Sequence, residues 1–337
     1  MSESDPQKAL EYLYADYSWP DGPWLAIGFD EPLKLSGLSL EGTYVQGQKY
    51  AADRLQVAGL SVLPDLPDTG SYKVIFLSVP KQHDQARYEM ACAIGLLAPD
   101  GTLIATGGND AGGKRMEKDT KALGCLSDAD VKFKSRVVML RDVTMVNHGI
   151  LNCWRQEGEW QDIEEGLFVS RPGIFGWNKI DTGSALLVSC LPDNLFGVGA
   201  DFGCGYGFLA QHVLNRYADV TKLYCLDADY QAVEACKRNT QAMAAKASYI
   251  WDDLNKVPDI KDLDFIVMNP PFHEGVKART DLGAGFIRNA AAVLKKKGYL
   301  YMVANNHLPY EEVLKNHFSA VTEIAQAYGF KVLKAIK

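Results

Sequence analysis

From residue 197 onward the chain alternates short apolar runs with stretches of helical spacing, and this alternation limits the fold more than any other feature. "GVGADF" (197–202), "KLYCLD" (222–227), "ASYIW" (247–251), "LDFIVM" (263–268) and "YLYMVAN" (299–305) have the length and residue types of strands. Between them, "FLAQHVLNRY" (208–217), "QAVEACKRNTQAMAA" (231–245) and "GAGFIRNAAAVLKKKG" (283–298) read as helices, the last closed by lysines and Gly298. Strands alternating with helices imply a parallel sheet covered on both faces.

Open sheets of this kind bind ligands at the carboxyl ends of their strands. The first strand here runs into "DFGCGYG", with Gly203, Gly205 and Gly207 at alternate positions before a helix. Glycines there permit a tight turn and a close approach of ligand to backbone. Alone, the turn is compatible with a purely structural role, and it departs from the dinucleotide spacing G-x-G-x-x-G. The second strand ends on Asp227, an acid placed to accept from ribose hydroxyls, and Asp252 and Asp253 follow the third. Asn269 ends the fourth strand. Any one of these suits a cap or a turn; at successive strand ends, Asp201, Gly205, Asp227, Asp252/Asp253 and Asn269 describe a nucleoside-type cofactor site.

The fourth strand breaks at "IVMNPPFHEG" (266–275). Two prolines cannot donate to a sheet, so the strand stops there. The amide of Asn269 and the ring of Phe272 then stand at a rim. "DFGCGYG", Asp227 and "NPPF" together resemble a class I S-adenosylmethionine-dependent methyltransferase, with "NPPF" its signature of amino-group methylation. "NPPFHEG", "LKKKGYLYMVANNHLPYEEVL", "GFKVLKAIK" and "RPGIFGWNKIDTGSALLVSCLP" (171–192) further resemble the small-subunit ribosomal RNA methyltransferase C group, strongly over 171–337 and more weakly before it. The departures are Tyr206, where a small residue is common, and Phe202, where an aliphatic one is usual.

The resemblance implies an enzyme methylating the exocyclic N2 of a guanine in 16S rRNA, with S-adenosyl-L-methionine as cofactor and S-adenosyl-L-homocysteine as product. It implies that Asp201, Gly203, Cys204, Gly205, Gly207, Asp227, Asp252, Asp253 and Asn269 hold the cofactor. Catalysis falls to Asn269, Pro270, Pro271 and Phe272. Asn269 and the Pro270 carbonyl would accept the amine hydrogens, Pro271 would stiffen the loop, and Phe272 would stack on a flipped-out base. His273 and Phe175, with Trp177, are expected near the base. Asp181, Thr182 and Ser184 either cover the cofactor's methionine end or cap a helix.

The first half carries a faint echo of the second. "VIFLSVPKQ" (74–82) parallels "FIVMNPPFH" (265–273), and "AIGLLAPDGTLIATGGND" (93–110) parallels "AAVLKKKGYLYMVANNH" (291–307). The expected fold is therefore α/β: two tandem Rossmann-like class I methyltransferase domains arising by duplication, the N-terminal one degenerate. It comprises a domain at 1–165 for folding support and RNA positioning, and a catalytic domain at 166–337. Ser78 and Val79 stand near the Asn-Pro positions and no G-x-G-x-G precedes them, so the first copy is expected to bind no cofactor.

Charge follows this division. Residues 1–165 hold 16 basic and 25 acidic side chains, net −9, and residues 166–337 hold 19 and 17, net +2. Within the acidic half, Lys114 to Arg136 holds seven basic and four acidic side chains. Lys114 and Arg115 are thus candidate phosphate contacts, although a solvated mixed-charge helix gives the same pattern. Seven cysteines without a CxxC pair read as reduced thiols, with no metal site expected. A polar, acidic N-terminus and the lack of a membrane-length apolar run predict a cytoplasmic protein, taken as a monomer acting on 16S rRNA or the 30S subunit. The alternatives are a guanine N2 methyltransferase of 23S rRNA, a protein-glutamine or DNA-adenine methyltransferase, and a non-catalytic ribosome-assembly module that binds RNA.

Overall fold

The computed structural model describes residues 4–270 and 276–337, apart from the side chains of Leu126 and of residues 276–282. The chain forms two compact units, one of Met1–Trp160 with Arg171–Gly173, the other of Gln161–Ser170 with Ile174–Lys337.

In the first unit the elements run α1 (Pro6–Leu13), β1 (Trp24–Ile27), β2 (Gly42–Val45), α2 (Lys49–Val57), β3 (Ser61–Leu63), β4 (Tyr72–Ser78), α3 (His83–Leu96), β5 (Leu97–Gly108), α4 (Gly113–Ala122), β6 (Leu126–Lys132), β7 (Ser135–Arg141) and α5 (His148–Gly158). The second unit opens with a hairpin, β8 (Gln161–Ile163) and β9 (Phe168–Ser170). It continues with α6 (Thr182–Cys190), β10 (Gly197–Phe202), α7 (Phe208–Arg216), β11 (Val220–Asp227), α8 (Tyr230–Asn239), β12 (Ala247–Trp251), β13 (Leu263–Met268), α9 (Val276–Val293), β14 (Leu294–Asn305), α10 (Tyr310–His317), β15 (Ala320–Ala327) and β16 (Phe330–Ile336).

The seven-stranded sheets have the same order, β3-β2-β1-β4-β5-β7-β6 and β12-β11-β10-β13-β14-β16-β15. Five strands in each are parallel, β7 and β16 run against them, and β6 and β15 pair antiparallel with β7 and β16 in turn. The duplication extends to an irregularity. The β4–β5 ladder shifts register between Tyr72 and Val74, and the β13–β14 ladder shifts between Leu263 and Phe265. A glycine sits at this point in each copy. A Cβ on Gly101 would lie 2.8 Å from the Tyr72 carbonyl, and one on Gly298 3.0 Å from the Leu263 carbonyl. Both positions therefore need a residue without a side chain.

Helices cover both faces of the second sheet. One face packs on α9 and α10 through Phe286, Ile287, Tyr310 and Leu314. The other packs on α6, α7 and α8 through Leu187, Leu209, Val213 and Cys236. Phe202 lies in the first of these cores at 0% exposure, where a side chain of its size contributes about 1.5–3 kcal/mol.

Two predicted helices are shorter than their sequences promise. The stretch 231–245 is α-helical only to Asn239, whose side chain is drawn toward the hairpin, and Gln241–Met243 follow as one 3-10 turn. The stretch 283–298 leaves the helix after Val293, and Lys295, Lys296 and Lys297 belong to β14. Lysine favours helices, but Leu294 pairs with Leu263, and the ladder overrides local preference.

Candidate active site

The carboxyl ends of β10, β11 and β13 converge on one region. β10 leads into a turn in which Gly203, Gly205 and Gly207 all have positive φ, of 76°, 53° and 91°. A Cβ on Gly205 would meet nothing within 4 Å, so the outer side of the turn is open. A Cβ on Gly207 would lie 2.9 Å from the Cys236 sulfur, so this glycine lets α8 pack directly under the turn. Asn239 ties the turn to the hairpin: its Nδ2 donates to the carbonyls of Tyr206 (2.7 Å) and Val169 (2.8 Å), and its Oδ1 accepts from the Val169 N–H (2.7 Å). The Tyr206 ring packs edge-on against Phe168, 5.4 Å between centroids.

Asp227 grips the same turn. Its Oδ2 accepts from the Gly205 N–H and its Oδ1 from the Asp229 N–H, each at 2.9 Å. Burial pushes this carboxyl up, and the N–H groups of Asp229, Gly205 and Ala228 hold it down in part. Each oxygen retains lone-pair capacity for a further donor, as a ribose diol requires.

The end of β13 holds the most informative geometry. Asn269 Nδ2 donates to Asp181 Oδ2 and to Ser184 Oγ, both at 2.8 Å. Both of its N–H hydrogens are thereby committed. Among the described residues its Oδ1 is buried without a hydrogen-bond partner, and a buried acceptor left unpaired costs about 1–3 kcal/mol. Such a group awaits a donor from outside the protein. Asp181 also caps α6 by accepting from the Ser184 N–H at 2.8 Å. One carboxylate thus both caps α6 and holds the Asn269 amide.

Other candidates lie behind this surface. Asp201 is 0% exposed, with neither oxygen in a well-formed hydrogen bond. Burial, with Cys236 and Asp227 close by, pushes its carboxyl well above the usual carboxylate range. The Cys204 side chain is buried against Cys236. Asp253 is buried and accepts from the Asn255 N–H (3.1 Å) and Asn255 Nδ2 (2.9 Å), while Asp252 Oδ1 accepts from the Asp253 N–H at 2.8 Å. Pro270 is buried at the strand end. Pro271, Phe272 and His273 lie outside the described residues. Phe175 is 45% exposed. Lys114 and Arg115 are exposed on α4 of the first unit, Arg115 donating to the Lys81 carbonyl at 3.0 Å.

An open turn of positive-φ glycines, an acid on the neighbouring strand and an orphaned amide oxygen are what a nucleoside cofactor and an amine substrate would each meet. The methyltransferase small domain model matches residues 165–334. The chain belongs to the methyltransferase small domain family. Like other members it is a methyltransferase, and S-adenosylmethionine is the cofactor its turn fits. A ribosomal RNA small subunit methyltransferase C of Shewanella halifaxensis is 30% identical over 310 residues, covering 89% of this chain and 87% of that protein. A ribosomal RNA large subunit methyltransferase G of Shewanella amazonensis is 34% identical over 183 residues, 53% of this chain and 48% of that one. Among solved structures, the T. thermophilus 16S rRNA N2 methyltransferase (RsmC), in complex with AdoMet and guanosine, matches with a TM-score of 0.77 at 24% identity, covering 98% of this chain and 92% of that one. The tandem architecture is thus shared with a solved two-unit fold. Among the described residues no helix is long and apolar enough to cross a membrane, and no group of three metal-ligating side chains is placed to hold an ion.

Proposed function

We propose that the protein methylates the exocyclic N2 of a guanine in 16S rRNA, using S-adenosylmethionine and acting as a cytoplasmic monomer on the RNA or the 30S subunit. The observation that carries this reading is the committed amide of Asn269, with its buried Oδ1 unpaired among the described residues. Near-full-length similarity to small subunit methyltransferase C, against half-length similarity to large subunit methyltransferase G, favours 16S over 23S rRNA.

Asp227 and the N–H groups of the turn at Gly203–Gly207 would hold the cofactor, which supplies a methyl group on a positively charged sulfur. An aryl amine is a weak nucleophile because its lone pair is delocalised into the ring. Asn269 Oδ1, with the Pro270 carbonyl, would accept the two amine hydrogens and turn that lone pair toward the methyl. The amine would take the methyl group from that sulfur, which would leave neutral, and the proton would then pass from the cationic amine to solvent. Because both acceptors favour a pyramidal amine, they act on the transition state more than on the ground state. Asp181 and Ser184 hold Asn269 in that orientation, so positioning supplies most of the rate. Phe272 is assigned to stacking on the base, with Phe175 and His273 beside it, and Lys114 and Arg115 to RNA phosphates. The first unit is assigned to folding support and RNA positioning.

The test is incubation with labelled S-adenosylmethionine and either 16S rRNA, 30S subunits, 23S rRNA or DNA, followed by mass spectrometry of the modified base. A methylated guanine N2 in 16S rRNA is expected. Methyl transfer to adenine, to a glutamine side chain or to 23S rRNA alone would overturn the assignment.

A further inference from the structure

The second unit has a cavity of about 330 Å³ at the end of the sheet away from the candidate active site. It is built where the chain enters β10 and where β13 and β14 begin. Five residue steps of β10, from Gly197 to Phe202, separate it from the glycine turn, or about 17 Å at about 3.3 Å each. It is therefore not the place where a target base reacts.

Its lining is basic and aromatic. Lys295, Lys296, Lys297 and Lys334 face one acid, Asp264, which leaves a formal balance of 4 − 1 = +3. The acid is already engaged: Lys295 donates to its Oδ1 at 2.7 Å and the Val198 N–H to its Oδ2 at 2.8 Å. Lys296 and Lys297 are exposed. Lys334 lies 4.9 Å from the centre of the Tyr299 ring, which itself stacks on Tyr301. At the rim Phe196 is 57% exposed, although Leu195 beside it is buried. A large apolar ring held in solvent next to unneutralised cations matches what single-stranded nucleic acid requires, a base to stack and a phosphate to pair.

The first unit provides an internal control, because the strand registers equate its residues with these. Asp21 stands where Phe196 does, Ala98-Pro99-Asp100 where the three lysines do, and Met139 where Lys334 does. The fold itself therefore demands neither the lysines nor the ring. We infer that this cavity is a second RNA site, holding a single-stranded nucleotide that flanks the target, with its base on Phe196 and its phosphate between Lys296, Lys297 and Lys334.

The proposal rests on the reading that the substrate is RNA, and the experiment separates the two. The full chain, its Lys296→Glu/Lys297→Glu variant and its Phe196→Ala variant are titrated with a short labelled single-stranded RNA across a range of salt. S-adenosylmethionine affinity is measured alongside by calorimetry. The double variant should bind RNA at least about tenfold more weakly at low salt. Its salt slope should be smaller by about 0.7, for the one lost phosphate contact. Phe196→Ala should weaken binding about fivefold or more with the slope unchanged. Cofactor affinity should be unaffected in both. Unchanged RNA affinity and slope in both variants, while the wild type binds and methylates RNA, would overturn the site alone. Adenosine 5′-monophosphate binding the cavity as tightly as the oligonucleotide would assign it to a free nucleotide instead. A wild-type protein that binds no RNA would remove the proposed function and this site together.

Discussion

The two units are built on one pattern and differ where chemistry would be done. Equating β1 with β10, β2 with β11 and β4 with β13 by register pairs Gly28 with Gly203, Gln46 with Asp227 and Ser78 with Asn269. Gly28 and Gly203 have nearly the same φ, 75° and 76°. Gln46 Oε1 accepts from the Gln48 N–H at 2.9 Å, just as Asp227 Oδ1 accepts from the Asp229 N–H. Then the copies part. Gln46 Nε2 donates to Asp30 Oδ1 at 2.9 Å, and Asp30 occupies the position of Gly205. A side chain and its charge thus stand where the second unit keeps open backbone. The Gly28 and Gly203 N–H groups keep matching bonds to the Val45 and Leu226 carbonyls, whereas the Gly205–Asp227 bond gives way to the Gln46–Asp30 contact, and groups that would face a ligand are replaced.

The largest test of this contrast is a matched pair. Asn269→Ala should lower methyl transfer by about 100- to 1,000-fold or more, the range for a lost transition-state contact, with cofactor affinity kept. Ser78→Ala should change neither. Near-normal turnover in Asn269→Ala would sink the mechanism. Next in size, Asp227→Ala should weaken S-adenosylmethionine by about 10- to 100-fold, or about 1.4–2.8 kcal/mol. Gln46→Ala should leave calorimetric affinity unchanged; a comparable loss there would mean that both copies bind cofactor.

A smaller effect is expected at Ser184, which the first unit does not replicate. Ser184→Ala releases one hydrogen of the Asn269 amide and should lower turnover about tenfold through misorientation. Cofactor affinity should hold, and Ser184→Thr should restore much of the rate. If Ser184→Ala lost cofactor affinity in proportion to turnover, the hydroxyl would be serving the cofactor and not the amide.

The parts of the fold legible in the sequence were those with local causes. Alternating apolar runs marked the strands, and a run of glycines marked the turn. The echo of the first half was visible in 74–82 and 93–110, where β4 and β5 carry the same apolar pattern as β13 and β14. It was invisible in β1 and β2, because four-residue strands carry too little pattern and the replaced residues are those that define the motif. The site was legible as residue types at strand ends, but depth was not. Asp201 and Cys204 belong to the glycine motif, yet their side chains are buried beside Cys236 of α8 and not on its open side. The hold of Asp181 and Ser184 on Asn269 spans more than 80 residues of chain and leaves no local trace. The lysines at 295–297 misled, because helix preference and a shifted strand register make opposite demands and the register prevails.

Stability offers a third comparison, in which the copies should agree. Gly101→Ala and Gly298→Ala each push a Cβ toward a backbone carbonyl, at 2.8 and 3.0 Å. Each should cost about 1–3 kcal/mol, the usual penalty of overpacking, read from denaturant midpoints. A large cost at one position and none at the other would mean that the shared register shift is not a shared constraint.

The smallest effect concerns Asp201, which the register equates with Ala26. Its carboxyl is raised by burial, so the folded chain holds this proton more tightly than the unfolded chain does. The unfolded group titrates near 3.9. As pH climbs from about 4 toward the raised value, unfolding releases a proton that folding retains, and the native state loses stability; above that value the loss is complete. An amide at this position does not titrate. Asp201→Asn should therefore gain on the wild type as pH rises above the unfolded carboxyl's range, seen as denaturation midpoints that diverge as pH climbs from about 4. Cofactor affinity should shift by no more than about twofold, or about 0.5 kcal/mol, because the side chain lies beneath the turn. Ala26→Asp should impose on the first unit the same pH-dependent loss, and parallel pH profiles for wild type and both variants would show that the buried carboxyl is not what distinguishes the two copies.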